Sequence, residues 1–462
     1  MSDPAISTPA AYPTLIGRKD YDWCMTSVPQ PAAANRTYSM PRGKVLGGSS
    51  AINYLMYVRG SRADYDGWRL LGNEGWGWDE LAPYFRKHQT LDPPESQHPD
   101  KQFMPHAAKD KYHGTDGPIH TSFNDHYAPF EEDFVKAAYE VSGKENTLVD
   151  AWGGDHMGFY SSLGCVNRTD DPGKRSYAAT GYLRPNLGRP NLKVLTEAQA
   201  TKVVLNDSKR AFAVEFVHEG SKHIVSAAQE IVLSAGVIQS PQLLELSGIG
   251  DPEVLKAAGV ECLVENKRVG ANFQDHVLGG MLFDLADGVI SLDALHGEEY
   301  AKAQMEIYAK TNKGPYGSPA MLMGFVSYAA LVFKEKLEET IATIKRDSLA
   351  KTDFEKAQEK VRRRNILHSS SPANSSRSSS ISSRIRPSPI SRFTASPVAL
   401  THQPVMIKSS SSLHLPLART VPLLVSAFSI HFLVAQCTSP LLILLPLRAL
   451  IQVTSATVLI LP

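Results

Sequence analysis

Two glycine-containing segments constrain the fold of this 462-residue chain more than any other feature. The first reads PRGKVLGGSSAIN and runs from Pro41 to Asn53. The second reads SAG at 234–236, followed by SPQLL at 240–244 and SGIG at 247–250. Glycine permits positive φ and lets a ligand lie close to the backbone, and a helix that begins there presents unpaired N–H groups to an anion. Each segment therefore predicts a turn that leads into a ligand-binding helix.

The first segment predicts a positively charged start for its helix. One of the two serines that follow Gly48 is suited to cap a helix that begins at Ala51, because its oxygen accepts a bond from an early backbone N–H. Arg42 and Lys44 add positive charge where the helix dipole also favours an anion. Asn53 follows one turn later with a neutral amide. The segment is therefore expected to bind a phosphate or another anionic group.

The second segment predicts a strand, a turn and a helix. The continuous apolar run at 230–234 is typical of a strand that is buried on both faces. Ser240 is suited to the N-cap position, and Pro241 to the first helical position, where a missing N–H costs nothing. Gly248 is suited to end the helix in the left-handed conformation. Nucleotides bind at the carboxyl ends of strands in open α/β sheets, so the small residues at 234–236 are expected to face a nucleotide.

These segments resemble the two signatures of the glucose–methanol–choline (GMC) family of FAD-dependent oxidoreductases. The resemblance extends through RG at 59–60, DYDGW at 64–68 and VGANFQDH at 269–276. It implies that the first segment lies against the isoalloxazine ring and the diphosphate of FAD. Some members of the family attach FAD covalently through a histidine at the position of Asn53. Asparagine cannot form that bond, so we expect non-covalent FAD.

The resemblance also assigns the cofactor-binding residues. No metal site is expected, because the four cysteines lie far apart without metal-type spacing. The residues that it places against FAD are Arg42, Gly43, Lys44, Leu46, Gly47, Gly48, Ser49, Asn53, Ala200, Ser234, Ala235, Gly236, Asn272, Asp275 and His276.

Two motifs of the family are not found in the 462 residues. One is the first phosphate loop, G-x-G-x-x-G, with the acidic residue that holds the adenosine ribose. The other is the C-terminal histidine segment that supplies the catalytic base. The resemblance therefore predicts a chain truncated at both ends, with impaired FAD binding and weak or absent activity, and leaves the catalytic residues unknown. His113 and His276 are expected to have structural or indirect roles rather than catalytic ones.

The function that the resemblance implies is oxidation of CH–OH groups of donors, with hydride transfer from an alcohol to flavin N5. The expected substrate is a small alcohol or a sugar-like molecule. Two alternatives stay open. One is a GMC-fold lyase or cyclase with a flavin that does not react, and the other is an inactive truncated scaffold.

The expected fold class is α/β. It combines an incomplete FAD-binding Rossmann-like domain, a β-meander, part of an α+β substrate domain and a disordered tail. The meander is predicted from alternating apolar and polar residues at 192–195, 200–205, 211–218 and 222–227. The FAD-binding domain is expected at 1–80, without its first βαβ unit, and at 161–285. The substrate domain is expected to begin at 81–160 and to continue at 286–365, before a tail at 366–462.

Composition restricts partners and location. A net charge of +1 gives no field that favours nucleic acid. Four widely spaced cysteines predict buried or half-buried thiols rather than a disulfide framework. No signal peptide is visible at the N-terminus, and the location and oligomeric state are left unknown.

The serine-rich stretch at 369–383 predicts disorder, whereas the apolar run at 421–447 is long enough for a membrane anchor but contains two prolines. The rival interpretation is that residues from about 366 onward are not a genuine protein segment.

Overall fold

The computed structural model describes most of the chain up to residue 347. The described residues are 3–30, 33–93, 111–142, 150–155, 157–271, 273, 275–276, 285–319, 322–326, 332–347 and 458–460. The chain divides into two units. The first comprises 1–53, 175–274 and 436–462, and the second comprises 54–174 and 275–435.

Eight helices and seventeen short strands are found in the described residues. The helices are α1 (Pro4–Ser7), α2 (Arg62–Leu70), α3 (Trp78–His88), α4 (Glu131–Ser142), α5 (Gly236–Leu246), α6 (Pro252–Ala257), α7 (Glu298–Thr311) and α8 (Lys334–Asp347). The strands up to residue 175 are β1 (Met25–Thr26), β2 (Ser39–Met40), β3 (Met56–Tyr57), β4 (Gln89–Leu91), β5 (Ile119–Thr121), β6 (Gly158–Ser161), β7 (Leu163–Gly164), β8 (Val166–Asn167) and β9 (Lys174–Arg175). The later strands are β10 (Lys193–Leu195), β11 (Ala198–Leu205), β12 (Ala211–His218), β13 (Ser221–Ser226), β14 (Ile249–Gly250), β15 (Val264–Glu265), β16 (Leu322–Phe325) and β17 (Val458–Ile460).

The predicted meander forms the sheet of the first unit. Strands β11, β12 and β13 pair in order as an antiparallel sheet, which confirms the last three strands of the predicted meander. The strand predicted at 192–195 is formed as β10, but it lies outside this sheet and pairs with β17 instead. Glu197 lies between β10 and β11 with φ +56°, a left-handed conformation that redirects the chain between them.

The strand predicted at 230–234 is not formed. These residues have no strand assignment, and Val232 is 65% exposed. A strand depends on a neighbour that pairs with its backbone N–H and C=O groups. Within the part of the chain that the structure describes, no strand pairs with this run. The prediction of a buried strand at 230–234 was therefore wrong.

The apolar core of the first unit anchors the first glycine segment. Ala51 and Ile52 are buried together with residues from the N-terminus and from 177–179. The remaining members of this cluster are Ile6, Leu15, Tyr177 and Ala179. Burial at about 25 cal/mol per Å² of apolar surface stabilises this arrangement, so the segment is fixed by packing rather than by regular secondary structure.

The second unit is built from both parts of its discontinuous sequence. Strand β6 pairs antiparallel with β16, and Trp152, Tyr160 and Phe325 share one apolar core. A second cluster packs Phe134 and Val135 of α4 against residues that include Phe159. Residues before 174 and after 285 therefore fold together within this unit.

The predictions for the apolar run, the cysteines and the domain boundaries have different outcomes. The apolar run at 421–447 lies outside the described residues, as does Cys437. No helix in the described ranges is both long and apolar enough to cross a bilayer. Cys24 and Cys165 are half-buried as expected, but Cys262 is exposed. The domain boundaries given from the sequence stay a prediction.

Candidate functional site

The first glycine segment forms a tight turn rather than the start of an α-helix. Gly47 and Gly48 both adopt positive φ, +93° and +55°, as expected for a turn of this kind. A 3₁₀ turn then spans Gly48–Ala51, and its N-terminal flanking residue is Gly47. The predicted helix beginning at Ala51 with a serine cap was therefore wrong. The carbonyl oxygen of Ser50, which would accept the next helical bond, accepts one from the Arg175 side chain instead.

Gly43 packs directly on this turn. A Cβ atom at Gly43 would lie 2.2 Å from the carbonyl oxygen of Gly48 and 2.7 Å from the nitrogen of Ser49. Its own N–H donates to Ser49 Oγ at 3.1 Å. Ser49 is thus not a helix cap but the link that holds the two ends of the segment together.

The backbones of Gly48 and Gly236 are open on the side where a Cβ atom would lie. At each position a Cβ would meet no atom within 4 Å, and both residues have positive φ. Gly47 differs, because its Cβ would lie 2.7 Å from the Tyr177 ring. Gly47 therefore supports packing, whereas Gly48 and Gly236 leave room for a ligand to approach the main chain.

Asp22 orders the approach to the segment, and sequence reasoning missed it. Its carboxylate is 2% exposed and accepts bonds from the N–H groups of Arg42 (2.9 Å), Cys24 (3.0 Å) and Gly17 (2.8 Å). A buried carboxylate that accepts several backbone N–H groups fixes the loop that supplies them. Only its position before the segment could have suggested this role, since no motif marks it.

The two cations of the segment are held in different ways. Lys44 donates from Nζ to the carbonyl of Lys19 at 3.0 Å and lies 5.6 Å above the Trp23 ring. Arg42 donates from Nη1 to the carbonyl of Pro41 at 2.7 Å. Its Nε atom is buried and donates to none of the described residues. Buried donors normally have partners, so this atom fits a site whose acceptor belongs to a ligand such as FAD.

Asn53 is fixed by a buried arginine that the sequence did not single out. Arg175 is 2% exposed and donates from Nη1 to Asn53 Oδ1 at 2.9 Å and to the Asn53 carbonyl at 3.0 Å. Its Nε donates to the carbonyl of Ile6 at 3.0 Å. No local pattern around 175 signals this role, because the contact spans 122 residues of sequence.

The second segment begins its helix earlier than predicted. Helix α5 starts at Gly236, so Pro241 lies inside the helix and not at its first position. The N-cap predicted at Ser240 was also wrong, because Ser240 lies inside α5 and the N-cap position is Ala235. Ser240 Oγ instead accepts from the N–H of Ala235 at 3.0 Å. Because Pro241 has no N–H, it cannot donate to the carbonyl of Val237 four residues earlier. Val237 is 56% exposed, so water can bond to this carbonyl instead. The left-handed end at Gly248 is confirmed, with φ +81°.

A buried carboxyl lies at the end of α5. Glu245 is 6% exposed, burial raises its pKa to about 7, and its Oε1 has no hydrogen-bond partner among the described residues. Gly270 packs against it, since a Cβ there would lie 2.7 Å from Oε1. The structure thus joins the VGANFQDH segment to the second glycine segment.

The remaining predicted residues are found in different surroundings. Leu46 packs against the core that contains Tyr177, and Ala200 pairs with Phe216 on β12 next to a register shift. Ser234 and Ala235 are exposed at the start of α5. Asn272 lies outside the described residues. Asp275 and His276 are exposed and belong to the second unit.

His113 lies inside a closed polar network of the second unit. Its ring is 3% exposed, with Nδ1 3.2 Å from Gln89 Oε1 and Nε2 3.1 Å from Asp150 Oδ2. Arg59 donates to the same Gln89 oxygen at 2.7 Å. Both ring nitrogens are therefore engaged by buried partners, which supports the structural role expected for this residue.

Comparison with known proteins identifies the family of this chain. Residues 23–278, more than half of the chain, match the family model described as GMC oxidoreductase. A relative named dehydrogenase mpl7, from Monascus purpureus, is 41% identical over 353 residues, which cover 74% of this chain and 55% of the relative. An oxygen-dependent choline dehydrogenase from Rhizobium rhizogenes is 38% identical over 274 residues, covering 59% and 46%.

A solved structure shares the fold. An FAD-dependent oxidoreductase from Chaetomium thermophilum superimposes with a TM-score of 0.67 at 26% identity, covering 75% of this chain and 59% of that one. The α/β class is confirmed, and FAD is indicated as the cofactor. The chain spans about half the length of the curated relatives it matches. By its sequence and its fold, the chain belongs to the GMC oxidoreductase family.

Proposed function

We propose that this chain binds FAD non-covalently and serves an oxidoreductase that acts on the CH–OH group of a small alcohol. The observation that carries the proposal is the open, positive-φ backbone of Gly48 in the same segment as Arg42, whose buried Nε donates to none of the described residues. Bound FAD would supply the two-electron acceptor for the alcohol. Relatives named as dehydrogenases favour a redox reaction over the lyase or cyclase alternative.

The residues of the chain would bind and orient the cofactor. Arg42 and Lys44 would lower the cost of bringing a negatively charged diphosphate to this turn. The open space beside the Gly48 backbone would allow close approach, and Asn53 would offer its amide to the ring system. Asparagine at position 53 supports non-covalent attachment, because its amide is not nucleophilic.

The substrate proposal is a primary alcohol or a sugar-like hydroxyl compound. The R. rhizogenes relative is named for choline, a small alcohol. The chain itself has a net charge of +1, which gives it no bulk electrostatic field that would attract nucleic acid. Choline is therefore one member of the alcohol panel to be tested, alongside uncharged alcohols and a hexose.

A membrane contact is a further proposal and concerns only the apolar run at 421–447, outside the described residues. Its length supports it, and its two prolines weigh against it. Partition of the full chain between buffer and detergent phases tests this contact, and complete recovery in buffer would contradict it.

Substitution of Gly48 tests cofactor binding. Gly48→Asn fills the open space with a residue that tolerates left-handed φ, so the turn can persist while the ligand is blocked. FAD affinity, measured by quenching of flavin fluorescence, is expected to fall at least tenfold. Gly220→Asn is the matched control, because Gly220 has φ +73°, lies in a hairpin turn and also has nothing within 4 Å. Equal losses in both variants, or none, would contradict the proposed site.

Reduction of bound flavin tests the reaction class. The loaded 462-residue chain is mixed with each alcohol without oxygen, and the visible flavin absorption is followed. Bleaching by at least one alcohol is expected. A chain that binds flavin but keeps it oxidised with every alcohol would argue against the oxidoreductase proposal. The chain holds no G-x-G-x-x-G stretch, so we expect weak FAD binding, and the titration must extend to high flavin concentration.

A further inference from the structure

Arg175 holds the C-terminal end of the first glycine segment. Its Nη1 donates to the carbonyl oxygens of Ser50 (3.2 Å) and Asn53 (3.0 Å). The Ser50 carbonyl lies within the 3₁₀ turn, and the Asn53 carbonyl lies two residues after its end. A buried guanidinium that bonds two carbonyls three residues apart restricts the backbone conformation of the turn between them.

Arg175 also determines how the Asn53 side chain is oriented. A guanidinium has donors and no acceptor, so only the amide oxygen of Asn53 can face it. The oxygen is Oδ1, at 2.9 Å from Nη1. Residue 53 as a whole is exposed. Its amide oxygen is turned toward Arg175, and its NH₂ group is therefore turned away from the guanidinium.

The residues that follow Arg175 contact the other end of the same turn. The N–H of Ala178 donates to Ser50 Oγ at 3.1 Å, and that hydroxyl donates to the carbonyl of Gly47 at 2.6 Å. The ring of Tyr177 packs on Gly47. Residues 175–178 thus bind the turn at both of its ends.

We propose that Arg175 is a positioning residue of the flavin site. It holds the turn at 47–53 in its binding conformation and fixes the orientation of the Asn53 amide, whose oxygen faces the guanidinium. This inference rests on the proposed function, since it assigns a role within the same site. Arg175 acts through Asn53 and the turn and is not itself assigned a contact with FAD.

A double-mutant cycle on FAD affinity tests the action through Asn53. Arg175→Ala is expected to weaken FAD binding about ten- to a hundredfold, because a hydrogen bond to a charged group is lost and the amide is released. Asn53→Ala should also weaken binding, and the double variant should be no weaker than the more damaging single variant within about threefold. Arg175→Lys, which keeps the charge, should recover part of the loss. Losses that multiply in the double variant would overturn the proposal.

Hydrogen exchange in the flavin-free chain tests the hold on the turn independently of cofactor. The N–H groups of Ile52 and Asn53 donate to the carbonyl of Ser49 at 3.2 and 2.9 Å. Arg175→Ala should accelerate their exchange about tenfold or more, and Arg175→Lys should accelerate it less. Arg189→Ala is the control, because Arg189 is an exposed arginine of the same region. Far-UV circular dichroism checks that each variant is folded.

The two measurements separate failure of the inference from failure of the proposed function. If the unmodified chain does not bind FAD, the proposed function fails, and the exchange measurement still decides whether Arg175 holds the turn. If the unmodified chain binds FAD but Arg175→Ala changes neither affinity nor exchange, Arg175 has no positioning role and the inference is overturned.

Discussion

Buried charge is the residue-scale feature with the clearest consequence for stability. Glu245 loses its hydration on folding, and its Oε1 gains no hydrogen bond among the described residues. The protonated form is therefore favoured in the folded state, and the pKa is raised to about 7. The Glu245 carboxyl binds its proton more tightly in the folded protein than in the unfolded chain. It therefore destabilises the fold at every pH at which this carboxyl is ionised in the unfolded chain.

Replacement of Glu245 by glutamine tests this cost. The wild-type chain should lose stability from this residue as the pH rises from about 4.5 to about 7, by about 3 kcal/mol at most. Glu245→Gln, which does not ionise, should be more stable than the wild type at pH 8 and similar to it at pH 4. Urea unfolding at both pH values measures the difference. If the difference in unfolding free energy between Glu245→Gln and the wild type is the same at pH 4 and pH 8, the assignment is contradicted.

Elements in this protein are ended and joined by side chains as much as by regular structure. Helix α2 begins with a capping box, in which Ser61 accepts from the N–H of Asp64 and Asp64 accepts from the N–H of Ser61. The first glycine segment has no such regular helix and relies on Ser49, Asp22 and Arg175 instead. Its glycines are therefore under different constraints from Gly67, the one glycine of α2.

Two glycine-to-alanine substitutions test this difference. Gly67 lies in α2 with ordinary φ and nothing within 4 Å of a Cβ, so Gly67→Ala should stabilise the fold by about 0.5–1 kcal/mol. Gly43→Ala would bring a Cβ within 2.2 Å of a backbone oxygen, which no side-chain movement can relieve. It should destabilise the fold by about 2–4 kcal/mol and weaken FAD binding.

Thermal unfolding of both variants beside the wild type gives the comparison. An unchanged stability in Gly43→Ala would mean that the segment can open without cost, which contradicts the tight turn described above.

At the scale of the whole molecule, buried polar contacts join parts of the chain that are far apart in sequence. In the second unit, Arg168 pairs with Asp125 at 2.8 Å, and the two side chains are only 7% and 4% exposed. Arg168 also donates to the carbonyl of Gly317 at 2.7 Å, and Asp125 accepts from Ser318 Oγ at 2.6 Å. This network ties residues near 125 and 168 to those at 317–318.

Removal of one partner of this pair tests its contribution. Arg168→Ala leaves the Asp125 carboxylate buried without its cation and should destabilise the fold by about 3–5 kcal/mol. Arg62→Ala is the control, because its pair with Asp79 has the same kind of contact at 2.7 Å but is 48% and 76% exposed. That loss should stay below about 1 kcal/mol. Urea unfolding measures both, and similar losses would show that burial of the Arg168 pair does not matter.

The sequence by itself determined the features that depend on a few neighbouring residues, and through resemblance it identified the family. Positive φ at Gly47 and Gly48, the left-handed helix end at Gly248 and three strands of the meander follow from local sterics and from alternation of side chains. Tertiary structure alone decided features that need a distant partner. Residues 230–234 are not a strand without a neighbour to pair with, and the turn before Asn53 stops short of a helix. The Ser50 carbonyl of this turn accepts a hydrogen bond from Arg175, which lies 125 residues further along the chain. Such contacts leave no local pattern, because their energy arises only when remote segments meet and exclude water.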